Sequence, residues 1–182
     1  MISNGYIQEK PLRDLCRHLT GVKVDFKAFS EKFYEETCAG KLKPVLAALE
    51  TLKDIGIWFE LVILLIPTLN DSPDEIKQMS EWIVQHLGPD VPVHFTRFHP
   101  TYRINNLPST PVSTLERARQ IAMDAGVHYA YAGNVPTHPG ENTYCHQCKG
   151  QLIRRTGFRV ESNRIRDGKC PDCATPIPGV WS

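Results

Sequence analysis

Between residues 8 and 135 the apolar positions follow two rhythms that take turns, one helical and one strand-like. Leu12, Leu15, Cys16 and Leu19 share a helical stripe that Gly21 ends, and Val22, Val24 and Phe26 follow as a short strand. Leu42, Val45, Leu46, Leu49, Leu52 and Ile55 mark a second helix, closed by Gly56. The stretch 57–66 is nearly continuous apolar, as in a strand covered on both faces, and Pro67 ends it. Ser72 and Glu75 have capping-box spacing with Pro73 at the first helical position, and Ile76, Met79, Ile83 and Leu87 carry that helix to Gly88. A strand over 91–97 follows. Ser113 and Glu116 repeat the capping spacing. Leu115, Ala118, Ala122 and Ala125 line the next helix, Gly126 stops it, and 127–132 is the last strand of the series.

This alternation predicts an α/β fold with a parallel sheet and right-handed crossovers. A barrel-like wall and an open doubly wound sheet both satisfy it. The chain has no Gly-x-Gly-x-x-Gly turn and no Gly-Lys-Ser/Thr loop, which argues against a Rossmann or P-loop site. Gly133, Pro136, Pro139 and Gly140 then interrupt regular structure. Beyond them the helical periodicity is gone, and Thr156-Gly157 and Asp167-Gly168 signal turns. Three parts are expected: 1–135 as the helix–strand unit, 136–144 as a linker, and 145–182 as a small hairpin-rich module.

Composition removes some function classes. With 182 residues, 41% hydrophobic, 23% charged and a net charge of +1, the chain has no global pull toward nucleic acid or an anionic membrane. No run of about 18 apolar residues exists to span a bilayer. No secretory signal is visible at the N-terminus, so the expectation is a cytoplasmic protein without a membrane partner. Six cysteines are present, and four form Cys-x-x-Cys pairs, Cys145/Cys148 and Cys170/Cys173. In that setting metal is favoured over disulfides. Four thiolates make a tetrahedral cage for zinc, and a single iron fits the same geometry. The 21 intervening residues suffice for a hairpin that folds one pair against the other. So small a unit has little core, and the metal would supply folding free energy on the order of 10 kcal/mol. Lys149 and Lys169 sit beside ligands and can offset a tetrathiolate's charge. A closed four-cysteine site leaves no position for substrate.

Candidate chemistry gathers at the predicted strand ends, where parallel barrels place it. These ends carry Asn4, Asp25 and Lys27, Asn70 and Asp71, His99, and Asn134. Asp25 and Lys27 are two apart on a strand and share one face, so together they could hold an amino-acid-like zwitterion. Each also has a plainer reading: a solvated ion pair, a turn, a helix start or a hydrogen-bonded loop histidine. Cys16 lies on an apolar stripe and reads as core. Cys38 falls in a loop, Thr37-Cys38-Ala39-Gly40, after the strand that bears Lys27.

On these residues the chain resembles radical S-adenosylmethionine (SAM) enzymes of the glycyl-radical, pyruvate formate-lyase activating type, and more closely the radical SAM member of the AmmeMemoRadiSam system. The matching segments are Ser3-Asn4-Gly5-Tyr6, Val24-Asp25-Phe26-Lys27, Leu65-Ile66-Pro67-Thr68-Leu69-Asn70-Asp71, Arg97-Phe98-His99-Pro100 and Gly133-Asn134-Val135, with the four-cysteine tail and Gly179-Val180-Trp181. The resemblance implies the C-terminal half of a partial parallel (β/α) barrel followed by a zinc-ribbon-like module. It implies SAM as cofactor, cleaved reductively at a [4Fe-4S] cluster to a 5'-deoxyadenosyl radical that abstracts hydrogen, an oxidoreductase chemistry. By motif, Asn4 and Asn134 belong to SAM-side strand ends, Lys27 contacts the SAM carboxylate, Asp25 supports that contact and His99 lies near the ribose. The cluster's Cys-x3-Cys-x2-Cys loop and the Gly-Gly-Glu segment are not in this sequence, and Ile2 stands where many activases have an acid beside a cation. The resemblance thus implies a partner, either a missing N-terminal half or an upstream subunit, and a chain that is inactive and poorly stable alone.

A second function class is a binding module. Residues 145–182 carry seven Lys/Arg against three acids, a surface for an acidic protein or nucleic acid. Few aromatics interleave those charges, which argues against nucleic acid. A Memo-type or AMMECR-type protein is the partner that the resemblance suggests.

Overall fold

A computed structural model describes residues 1–181. Five parallel strands form the main sheet in the order β1-β2-β3-β4-β5: Ile2–Ser3, Gly21–Asp25, Trp58–Leu65, Val93–Arg97 and Ala130–Gly133. Chain order and spatial order coincide, so every right-handed crossover puts its helix on the same side. That resolves the two topologies in favour of a singly wound, barrel-like wall. The crossovers carry α1 (Glu9–Cys16), α2 (Glu31–Glu36), α3 (Leu42–Ile55), α4 (Pro73–His86) and α5 (Val112–Asp124).

The helix-covered face holds the core. Val22 and Val24, then Phe59, Leu61, Ile63 and Leu65, then Val93 and Phe95 are all buried there. The other face is only half-buried. β3 alternates strictly, with Trp58, Glu60, Val62 and Leu64 turned to the open side. The expectation of a strand covered on both faces is therefore corrected. The C-terminal residues face this inner side across an open cavity rather than packing onto it, and Glu60 is the polar interruption in the apolar run.

Both expected capping boxes are also corrected. Ser72 makes no side-chain cap, and Glu75 instead accepts a 2.8 Å hydrogen bond from the Phe29 amide, tying α4 to the segment after β2. α5 starts one residue before Ser113, and Glu116 pairs with His138 at 3.0 Å. The short helix α2 had no counterpart in the periodicity. Its N-cap is Ser30, whose hydroxyl accepts from the Phe33 amide.

After β5 comes a 3-10 turn at Pro139–Glu141, then a three-stranded sheet of β6 (Thr143–Tyr144), β7 (Gln151–Thr156) and β8 (Arg159–Asn163) in antiparallel order. The stretch read as a linker thus carries the first strand of the second sheet. A small second core of Leu152, Ile153, Ile177, Cys145 and Cys170 takes in Tyr129, which immediately precedes β5. The ribbon is docked on the main sheet through that ring. No helix among the described residues is long and apolar enough to cross a membrane.

Candidate functional site

The open face of the main sheet and the ribbon border a cavity of about 1170 Å³, somewhat larger than the usual small-molecule site. Strand register sets its layout. Lys23 pairs with Glu60, Asp25 with Val62, Val62 with His94, and His94 with Tyr131. All of these side chains line the cavity. From the ribbon come Ile153, Arg155 and Phe158, and then the stretch from Ile177 through Trp181.

At the end of β2, Lys27 Nζ meets Asp25 Oδ2 at 3.0 Å, and Lys23 Nζ stands 4.0 Å from the other carboxylate oxygen. The Asp25 and Lys27 side chains are 31% and 35% exposed, accessible yet partly screened from water. Their position is held through the backbone. The Lys27 amide donates to the Tyr34 hydroxyl at 3.3 Å, and its carbonyl accepts from Asn70 Nδ2 at 2.7 Å. Asn70, 2% exposed, also donates to the Leu64 carbonyl at 3.0 Å and accepts from the Ile66 amide at 2.7 Å. It joins the ends of β2 and β3 rather than starting α4.

His99 and Asn134, past the ends of β4 and β5, line the same cavity. His99 Nδ1 lies 3.2 Å from the Ser109 hydroxyl, and Asn134 Nδ2 donates to the Arg97 carbonyl at 3.2 Å. The loop that carries His99 is clasped at its base by buried Thr110. The Thr110 hydroxyl donates to the Leu65 carbonyl and accepts from the Phe98 amide, and Arg97 Nε donates to the Thr110 carbonyl. Asp25, Lys27, His99 and Asn134 thus share one cavity. Asn4 does not line it. Its Oδ1 accepts from the Tyr6 amide in a local turn at the end of β1, where Gly5 takes a φ of +72°.

Sequence reasoning missed a polar cluster in the middle of the open face. Glu60 accepts from His94 Nε2 at 2.8 Å and from Trp58 Nε1 at 3.2 Å. The His94 bond holds the Glu60 pKa below its ordinary value, against the opposite pull of burial. His94 stacks on Tyr131 at 4.8 Å, whose hydroxyl lies 3.0 Å from that of Thr143, and Arg155 sits over the Tyr131 ring. A glutamate inside the apolar run was the available signal.

The four-cysteine site is built by two matching knuckles. In the first, the Cys145 amide donates to the Gly150 carbonyl and the Lys149 amide to the Cys145 carbonyl. In the second, Cys170 donates to Thr175 and Ala174 to Cys170. Lys149 and Ala174 occupy equivalent places, with φ of +61° and +59°. Cys145 Sγ lies 3.6 Å from Cys173 Sγ, and Cys148 Sγ lies 3.7 Å from Cys170 Sγ. One tetrahedral ion with 2.3 Å bonds to sulfur sets its ligands about 3.8 Å apart. The set therefore fits a single zinc or iron and is too tight for a cubane cluster. The hydroxyl and amide of Thr175 pull the Cys173 thiol down to about 6, while Cys148, against the pull of the Gly150 amide, is pushed up to about 12 by desolvation and by the other three thiols of the set. Of the other two thiols, Cys16 is buried at the end of α1, and Cys38 is exposed in a turn, its pKa raised by desolvation.

The main sheet has clear counterparts among solved structures. A domain of a pyruvate-formate lyase-activating enzyme from Bacteroides vulgatus superposes with a TM-score of 0.65, covering 72% of this chain and 79% of that one at 14% identity. A radical SAM methyltransferase from Sphaerobacter thermophilus gives 0.57, covering 77% and 42% at 15% identity. The fold is that of radical SAM enzymes. In sequence, the chain is 38% identical over 179 residues to an uncharacterized protein of Methanocaldococcus jannaschii. That match takes in 97% of this chain and 53% of the relative, so the chain spans about half the relative's length. No protein-family profile matches the chain.

Proposed function

We propose that this chain is the SAM-binding portion of a radical SAM oxidoreductase, of the kind associated with Memo-type and AMMECR-type proteins in the cytoplasm. The observation that carries the reading is the half-exposed Asp25–Lys27 pair at the mouth of a large cavity, on a sheet with the radical SAM fold. A ligand carboxylate takes the place of Asp25 on the Lys27 ammonium, and Asp25 turns to the ligand's amine. His99 and Asn134 stand at neighbouring strand ends as polar partners for a ribose or base. When bound with a reduced [4Fe-4S] cluster, SAM supplies a 5'-deoxyadenosyl radical. The described residues hold no thiolate set that fits such a cluster, so the chain alone is expected to make no radical.

Equilibrium dialysis of labelled SAM against the chain tests the binding step. Lys27→Ala and Asp25→Ala are each expected to weaken binding at least tenfold, and binding indifferent to both would refute the assignment. Anaerobic iron–sulfur reconstitution followed by a 5'-deoxyadenosine assay tests the second step, with no turnover expected from the chain by itself. A second reading, a ribbon that docks a protein, is favoured by β8, which lies exposed along its whole length at a sheet edge. Nucleic acid is a poorer fit for that surface, because Glu161 pairs with Arg159 and Asp172 with Arg164.

A further inference from the structure

The seam between sheet and ribbon holds another group of metal-ligating side chains. Asp90 lies in the connection from α4 to β4, His128 in the connection from α5 to β5, and His146 inside the first knuckle. One ligand atom from each lies within 4.8 Å of the others. His128 Nδ1 meets Asp90 Oδ1 at 2.9 Å, and His146 Nδ1 meets the Tyr129 hydroxyl at 2.9 Å. The two imidazoles stack face to face, 4.2 Å apart and 4° from parallel.

We propose that Asp90, His128 and His146 form a second metal site, for a borderline first-row divalent cation such as zinc, which clips the ribbon to the main sheet. Two imidazole nitrogens and a carboxylate oxygen are the ligand set of zinc sites that keep one position open. Without a thiolate, the site is chemically distinct from the four cysteines. Its main-chain supports are in place before any ion arrives. The His128 amide donates to the Pro89 carbonyl at 2.8 Å, and the knuckle's own hydrogen bonds fix His146. The Lys149 ammonium is engaged by the His146 carbonyl at 2.8 Å. Ligands at about 2.1 Å from a tetrahedral ion stand about 3.4 Å apart, so a closing of up to about 1.4 Å completes the site. An imidazole nitrogen binds a metal in the plane of its ring, so the parallel stack must also open: His146 has to rotate off the Tyr129 hydroxyl and out of the stack before its nitrogen and that of His128 can point at one ion. The ligands come from both sides of the seam, so the ion would bind only the docked arrangement and stabilise it by mass action.

The test uses the full, untagged chain with zinc at the four-cysteine site, freed of loose metal and titrated with Zn²⁺ by calorimetry. A second equivalent is expected. His128→Ala and His146→Ala should each weaken it at least tenfold while the four cysteines stay protected from alkylation. No uptake of zinc by the unaltered protein beyond the equivalent already held by the cysteines, or a second equivalent that survives both substitutions, overturns the proposal. If His146→Ala exposes the thiols, His128→Ala decides alone, because it lies outside the ribbon. None of these readouts involves SAM, so this proposal and the one above stand or fall separately.

Discussion

Asn70 donates to the carbonyls of Lys27 and Leu64 and accepts from the Ile66 amide, so one buried carboxamide fixes the backbone on which the cavity's lysine stands. Asn70→Ala removes these three hydrogen bonds. A loss of about 3 kcal/mol is expected in urea unfolding, with weaker SAM binding although residue 70 lies outside the cavity. Glu60 supplies a pH signature. Its folded-state pKa is held below the ordinary 4.5, so its ionised form favours the fold above that pH. The contribution disappears as the pH falls through the lowered value. Glu60→Gln should flatten the acid limb of the stability curve below pH 4.5, as read by urea unfolding at stepped pH.

Among the elements, β1 is the shortest strand of the main sheet and depends on the turn behind it. Gly5 has a φ of +72°, and a Cβ there would come within 3.1 Å of both Val24 and Val45. Gly5→Ala combines a strained backbone with an overpacked contact, and a cost of about 2 kcal/mol is expected, visible as a lowered Tm. The long elements were legible in the chain because each has an apolar stripe facing the core: Val45, Leu49 and Leu52 in α3, or Ile76, Met79 and Ile83 in α4. α2 was not, because six residues burying only Phe33 and Tyr34 leave no period to detect. Nor could spacing reveal what Glu75 does, since the choice between its own helix end and the Phe29 amide is made by tertiary placement. The pair Glu60–His94 and the group at Asp90, His128 and His146 share that limit. Their members lie on separate strands or loops, and only the docked chain brings them together.

For the molecule as a whole, the wall of the cavity is shared between two units of unequal stability. The main sheet has an extensive core of its own, while the ribbon is held by a handful of apolar residues and the four thiols. Such a unit depends on its metal. Strong chelators are expected to abolish amide-exchange protection across β6–β8 and leave β2–β4 protected, with a matching loss of SAM affinity if the ribbon wall contributes. Equal loss of protection in both sheets would mean that the two units unfold together. The Thr110 clasp carries a further implication, for descent. Because that hydroxyl binds the end of β3 and the end of β4 at once, the stretch between Phe98 and Thr110 is closed at its root. Insertions and deletions there need not propagate into the strands. Lineages can therefore lengthen, shorten or reshuffle the lip around His99 while inheriting the same framework, and divergence in what is accepted should concentrate in that segment.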